Sequence, residues 1–352
     1  MGRSPRQSVT IRHVAAEAGV SLQTVSRVVN NEPNVRPQVR ERVMEAVNKL
    51  GYVPSLAARR MGGSRSYLIL ALNDRDRTIE GWRLGQGSDW IDQMLYGGML
   101  ACAERGYRMI FELIDTHSAE VEREVNAALS SLRPDGVILT PPHSDNPAIT
   151  DLLVKQGVPF ARIGSNDASA GFAIRMDDGA AAEAATAHLI ALGHRRIGFI
   201  TGSAEYRLSG ARTDGYRTAM AAAGLPIAAG LIQPGDFSFE AGDAAMRAYL
   251  ALAEPVTAVI ASSEQTVLGA LDVARARGVA VPGDLSLVSF DDTPVVRFSV
   301  PPLTAITQPI APMAAKAAEL LIDAASGKES EPGVHVIPFA LAVRRSSGPP
   351  RD

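Results

Sequence analysis

Cysteine is nearly missing from this sequence of 352 residues. Cys102 is the only one, which excludes an intrachain disulfide and a cysteine metal cluster. Its neighbours, residues 97–103, read as helix, so the thiol is expected to pack as a small apolar side chain. Long apolar runs are missing too. No stretch approaches the roughly 20 residues of a membrane span, and residues 1–8 are basic and polar where a secretory signal would be apolar. The expectation is a cytoplasmic protein with no membrane partner. Catalytic signatures are also absent: the sequence has neither G-x-x-x-x-G-K-[ST] nor G-x-S-x-G. His188 and His194 flank a helix end without a Glu at zinc spacing. Asp291-Asp292 could suggest paired acids, but neighbours in an extended chain point to opposite faces. Neither catalysis, a metal nor a cofactor is expected.

What is present begins with an uneven charge. The whole chain carries −3, yet residues 1–66 hold eleven Arg or Lys against four Asp or Glu, leaving the remainder at −10. A basic head on an acidic body is the electrostatic footprint of a nucleic-acid module joined to something else. Within that head, Ile11, Val14, Ala15 and Ala18 share one helical face, and Val25, Val28 and Val29 share another. Gly19 stands where a helix C-terminus needs positive φ, and Ser21 where the next helix needs an N-cap. The pattern predicts a helix-turn-helix whose second helix presents Leu22, Gln23, Thr24, Ser26, Arg27 and Asn30 to a major groove. A third helix is predicted over 37–50, opened by Pro37 and closed by Gly51.

The stretch VTIRHVAAEAGVSLQTVSRVVNNEPNVRPQVRERVMEAVNKLGYVPSLAARRM closely resembles the head of the lactose-repressor (LacI/GalR) family of bacterial transcription regulators. The resemblance implies that Leu22, Gln23 and Arg27 read bases, while Ser21, Thr24, Ser26 and Asn30 mainly hold phosphates, with Thr10 among the DNA contacts. Leu22 is less polar than the types often found there, which suits a thymine methyl. After Pro54, residues 55–62 could form about two turns of helix, too few to be stable alone. The family pairs this hinge helix with its copy in a second subunit and lays both in the minor groove. By position Met61 is the wedge between base pairs, Ala58 lies near the groove floor, and Arg59 and Arg60 face phosphates.

From position 67 short apolar runs such as LILAL, GVILT, FARIG, RIGFITG, AVIAS and LSLVSF alternate with helical stretches, the mark of buried parallel strands in βαβ units. The predicted class is α/β: a helix-turn-helix head followed by a two-lobed, doubly wound ligand-binding core. Its boundaries are a head at 1–54, a hinge helix and linker at 55–66, and a core at 67–352. The N-lobe spans about 67–176 and 308–336, and the C-lobe about 177–307 and 337–346. LGHRRIGFITG and LSLVSFDDTPVVRFSVPPLTAITQPI also resemble the repressor family, whose core shares the fold of periplasmic sugar-binding proteins. That resemblance places Arg212, Asp291 and Gln308 in a ligand cleft with Phe237 as an aromatic wall, Trp90 as a further wall and Ser263 beside them. The alternative for Arg212 and Asp291 is an ion pair that only holds a loop.

Two positions depart from the family. Ser263-Glu264 stands where Asn-Asp is frequent, and Gly164 where an acid is frequent. Residues 73–88, with EGWRLGQGS, form a longer loop than usual and could reshape the cleft entrance. The expected function is a homodimeric repressor of carbohydrate-use genes that binds double-stranded operator DNA and answers to a small-molecule effector, a sugar. The alternatives are a regulator that responds to a nucleobase or nucleoside or acts as an activator and, more remotely, an enzyme or solute-binding protein using the same two-lobed fold. With no apolar heptads after Arg345, no tetramerising coiled coil is expected.

Overall fold

The computed structural model describes residues 9–29, 34–52, 65–85, 87, 89–328 and 332–351. Contacts divide the chain into two units, Met1–Tyr67 and Leu68–Asp352. In the first unit, α1 (Ile11–Ala18), α2 (Leu22–Val29) and α3 (Pro37–Leu50) surround a core that includes Val14, Val25, Val28, Val43 and Tyr52. Gly19 ends α1 at φ 60° and Gly51 ends α3 at φ 62°, left-handed values that glycine adopts without a Cβ penalty. The N–H of Thr24 donates to Ser21 Oγ at 3.2 Å, which caps α2. The predicted helix-turn-helix is therefore present, with its third helix closing the core. Asn30 and the hinge residues Ala58, Arg59, Arg60 and Met61 lie outside the described residues.

The second unit runs through β1 (Leu68–Asp74), α4 (Arg75–Leu84), α5 (Asp89–Glu104), β2 (Arg108–Ile114), α6 (Val121–Leu132), β3 (Gly136–Leu139), α7 (Pro147–Gln156), β4 (Phe160–Ile163) and β5 (Phe172–Arg175). It continues with α8 (Asp178–Ala191), β6 (Ile197–Ile200), α9 (Arg207–Ala222), β7 (Ile232–Gln233), α10 (Phe239–Leu250), β8 (Ala258–Ala261), α11 (Glu264–Ala276), β9 (Ser286–Phe290), α12 (Pro294–Phe298) and β10 (Thr304–Thr307). Then follow α13 (Ile310–Ala325), β11 (Gly333–Val336) and β12 (Ala340–Ala342). One six-stranded sheet has the order β11–β5–β4–β3–β1–β2, and a second has β12–β10–β9–β8–β6–β7. Every pairing is parallel except β10 with β12, which is antiparallel at the sheet edge. At that edge β12 is reached by a short connection from the other lobe, with no helical crossover to bring it in parallel.

Strands β1, β3, β4, β6, β8 and β9 are buried along their whole length, as continuous apolar runs covered by helices on both faces require. Close helix packing needs small residues at the crossings. A Cβ on Gly215 of α9 would lie 2.1 Å from the carbonyl oxygen of Gly179 on α8, so these helices meet backbone to backbone. Cys102 is fully buried, and burial pushes its thiol pKa up to about 12, so it packs as core.

Residues 73–88 are not the predicted loop. Most of them form α4, which starts where the Asp74 carboxylate accepts the N–H of Arg77 at 2.9 Å and stops at Gly85, φ 65°. Trp90 consequently belongs to the second helix of this unit rather than its first. Among the described residues, no helix is long and apolar enough to cross a membrane.

Candidate functional site

A cavity of about 630 Å³ opens between the two sheets of the second unit, within the range of small-molecule sites. Its wall is built at strand C-termini, where helix N-termini and free backbone groups converge. Asp74 ends β1, Phe237 follows β7, Ser262 and Ser263 follow β8, Asp291 follows β9 and Gln308 follows β10. All six residues singled out in the sequence, Trp90, Arg212, Phe237, Ser263, Asp291 and Gln308, line this one cavity.

Arg212 is 2% exposed and sits in the second turn of α9. Its Nε donates to Asp178 Oδ1 and its Nη1 to the Ser262 carbonyl, both at 2.8 Å, while its guanidinium covers the Phe290 ring at 4.2 Å. Of the mutual or neighbouring ion pair weighed from the sequence, the neighbouring form is present: Arg212 pairs with Asp178 and not with Asp291. Asp291 accepts a hydrogen bond from Gln308 Nε2. Asp292 turns away to Arg344 at 2.7 Å and Arg297 at 3.2 Å, so the adjacent acids serve different places. Ser263 caps α11, taking the Thr266 N–H at 3.2 Å and giving its own proton to the Phe237 carbonyl at 2.9 Å.

The backbone is strained at this site. Phe237 has φ 74° and Asp291 has φ 69°, two of the four non-glycine residues with positive φ among the described residues. The Phe237 ring lies so close to Gly202 that a Cβ there would be 2.1 Å away. Phe237 meets Tyr206 edge-on at 5.4 Å, and Arg77 of α4 places its guanidinium 5.1 Å from both ring centroids. Arg77 Nη2 also donates to the Asp236 carbonyl at 3.4 Å. With His117–Glu205 at 2.9 Å and Arg207–Asp145 at 3.6 Å, it forms one of several links across the cleft between the lobes.

Glu264 is 5% exposed, and burial together with the neighbouring Asp291 raises its carboxyl pKa well above the usual value. Burial and the carboxylates of Asp92 and Asp291 raise Asp89 as well. A group whose value is raised on folding adds most stability below its unfolded pKa and loses it as pH climbs through the folded one. Glu264→Gln, which keeps a donor toward Asp291 but cannot ionise, is therefore expected to melt higher than the wild type at alkaline pH. The gain should shrink toward acid, and parallel melting curves from about pH 5 to pH 8 would contradict it.

In the head, α2 buries Val25 and Val28 and turns Ser21, Leu22, Gln23 and Arg27 outward, with Thr24 and Ser26 half-buried. Leu22 is 44% exposed, an apolar side chain held at the surface at the start of the helix. Ser21 and Thr24 share a hydroxyl hydrogen bond of 2.9 Å. Thr10 is the N-cap of α1, its N–H donating to His13 Nδ1 at 3.2 Å.

Residues 10–55 match the model of bacterial regulatory proteins of the lacI family, and residues 186–347 match that of the periplasmic binding protein-like domain. The HTH-type transcriptional regulator CelR of Thermobifida fusca is 35% identical over 349 residues, covering 97% of this chain and 99% of the relative. This chain belongs to the lacI family. Its relatives in that family include Catabolite control protein A of Priestia megaterium, 29% identical over 97% of this chain and 99% of the relative. Its fold matches a solved CelR–cellobiose complex with TM-score 0.72 and 33% identity, over 96% of this chain and 99% of that one. It also matches a lac repressor dimer bound to operator and an anti-inducer, with TM-score 0.76 and 25% identity over 97% and 100%. These relatives are transcription regulators, not enzymes.

As a lacI-family core, the cleft holds residues that the sequence did not single out. Arg77 and Trp82 come from α4, Tyr206 from the turn before α9, and Asp178 supports Arg212 from behind. Glu264 lines the cavity too, although it had drawn notice only as a departure from the family. The rule that ligands gather at strand C-termini would have recovered Tyr206 and Glu264, since each follows a predicted strand. Arg77 follows a predicted strand as well, but only α4, which the sequence reading took as a loop, sets where its side chain reaches.

Proposed function

We propose that this protein is a DNA-binding transcription regulator, a homodimeric repressor of carbohydrate-use genes acting in the cytoplasm, whose grip on a palindromic operator changes when a sugar binds the core cleft. One observation carries the reading. Residues from seven separate stretches of the chain converge on a single cavity, in a chain that also bears a basic helix-turn-helix. The cellobiose in the CelR complex supports a saccharide as effector. Asp291, Gln308 and the buried Arg212 offer charged and amide groups to hydroxyls, and Trp90 offers a flat face to sugar C–H bonds. Ligand then favours one arrangement of the lobes, and by linkage the same free energy alters DNA affinity.

On the DNA side, Leu22, Gln23 and Arg27 are assigned to base edges. Ser21, Thr24, Ser26 and Asn30 are assigned to phosphates with Thr10 nearby, and Ala58, Arg59 and Met61 to the minor groove. The proposed division is a head (1–54), a hinge (55–66) and a core (67–352), and the boundary between contact units after Tyr67 supports the last of these limits to within one residue. A dimer is supported by exposed apolar side chains on the core: Tyr96, Met99 and Leu100 on α5, and Val295, Phe298 and Val300 in and after α12.

The test is operator binding by fluorescence anisotropy, with and without a saccharide panel. Arg27→Ala is expected to lose about 1–3 kcal/mol and to relax discrimination at one base pair. Equal losses on operator and random DNA would show that Arg27 holds only phosphate.

A further inference from the structure

The chain has two tryptophans, and both line the same cavity. Trp90 lies in the first turn of α5, half-buried, beside the acids that converge on Asp291. Trp82 lies in the last turn of α4, 50% exposed. A large indole is held at the rim rather than folded into the core, which removes apolar area from water only when something covers it.

The aromatic faces nearer the back of the cleft are already covered. The guanidinium of Arg77 lies over both Phe237 and Tyr206, and these two rings also pack edge to face. Tyr206 is only 9% exposed. For a ligand with flat apolar faces, the platforms left open are therefore Trp90 and Trp82, on the two helices flanking the turn at Gly85 and Gly87. Hydrogen-bonding groups accompany each: Asp291 and Gln308 line the inner part, and Glu80 and Glu240 line the same cavity from α4 and α10. The volume of about 630 Å³ is ample for more than one sugar ring.

We propose that Trp82 forms a second-ring subsite, so that the effector is an oligosaccharide of at least two linked sugars, one ring on Trp90 and the next on Trp82. This rests on the saccharide reading above and deepens it. Two platforms on two helices make chain length a property the cleft can measure, because a single ring reaches one platform and forgoes the other.

The experiment titrates the full-length protein with glucose, cellobiose and cellotriose, and with the xylose and maltose series, by calorimetry and by tryptophan fluorescence. In the wild type, at least one disaccharide should bind about tenfold or more tighter than its monosaccharide, a factor equal to about 1.4 kcal/mol. Trp82→Ala should erase most of that ratio, with disaccharide affinity falling far more than monosaccharide affinity, and Trp82→Phe should restore part of it. The fluorescence change on disaccharide binding should fall in Trp82→Ala, where only Trp90 reports. If Trp82→Ala keeps the ratio, or monosaccharides bind as tightly as their dimers, the subsite is overturned and the saccharide reading stands. If no saccharide binds the wild type, both fall.

Discussion

Arg212→Ala is expected to destabilise the effector core by about 3–5 kcal/mol, the usual cost of removing one member of a buried ion pair. For a unit of this size that corresponds to a fall in melting temperature on the order of 10 °C. The loss follows from what remains behind. Asp178 and the Ser262 carbonyl lose their donors, and the Phe290 face loses its cation. Burial already pushes the Asp178 carboxyl upward and Arg212 opposes it, so without Arg212 the carboxyl is pushed further up and its charge is left unpaired. With Asp178 raised in the folded state, the variant should be most stable in acid and lose stability as pH rises. The double variant Arg212→Ala with Asp178→Asn removes the stranded charge and should recover part of the stability. It should not recover the effector response, because the guanidinium nitrogen Nη2, which no hydrogen bond among the described residues engages, is what a ligand hydroxyl would meet. Recovery of both, seen by melting and by operator release, would make Arg212 purely structural.

With the core paired as proposed, Phe298→Asp should leave a monomer and lower operator affinity by about 10²–10⁴-fold. Phe298 is 82% exposed and Val300 76%, an arrangement that water disfavours and a second copy would cover. A carboxylate in that patch would have to be desolvated on pairing, against the aromatic area it replaces. Two heads bound to one dimer gain from effective concentration, and that gain of about 10²–10⁴ is lost when the heads separate. Sedimentation and operator titration together decide it. A variant that stays dimeric, or a monomer that binds operator undiminished, would remove this face from the interface. The core of the variant should melt normally, since Phe298 contributes little to the interior.

The architecture was legible where a local pattern spans a whole element. LILAL, GVIL, FARI, IGFI and AVIA are short continuous apolar runs, and each became a fully buried strand. Helices α1 to α3 were legible through both periodicity and caps, with Gly19, Ser21, Pro37 and Gly51 placed at their ends. Helix α4 escaped because RDRTIEGWRL has no apolar stripe and buries only Thr78. Its caps, Asp74 and Gly85, are the feature that decides it. Strand β7 has two residues and β12 three, too short to show any period, and both exist because a neighbouring strand supplies their hydrogen bonds.

From sequence alone the chain determined its helix-turn-helix, its basic head and acidic body, its parallel α/β core and, through a family resemblance, six positions of the cleft. These depend on side-chain periods, caps and charge counts that act over a few residues or over the chain as a whole. Only the tertiary structure decided which polar groups meet: Arg212 with Asp178, Asp291 with Gln308, and Arg77 with the rings of Tyr206 and Phe237. Such pairs join residues from 17 to 160 positions apart (34 for Arg212 and Asp178, 17 for Asp291 and Gln308, 160 for Arg77 and Phe237). Whether a buried charge is partnered, and by which group, depends on distances set by the packing of whole sheets, and no local pattern encodes those distances.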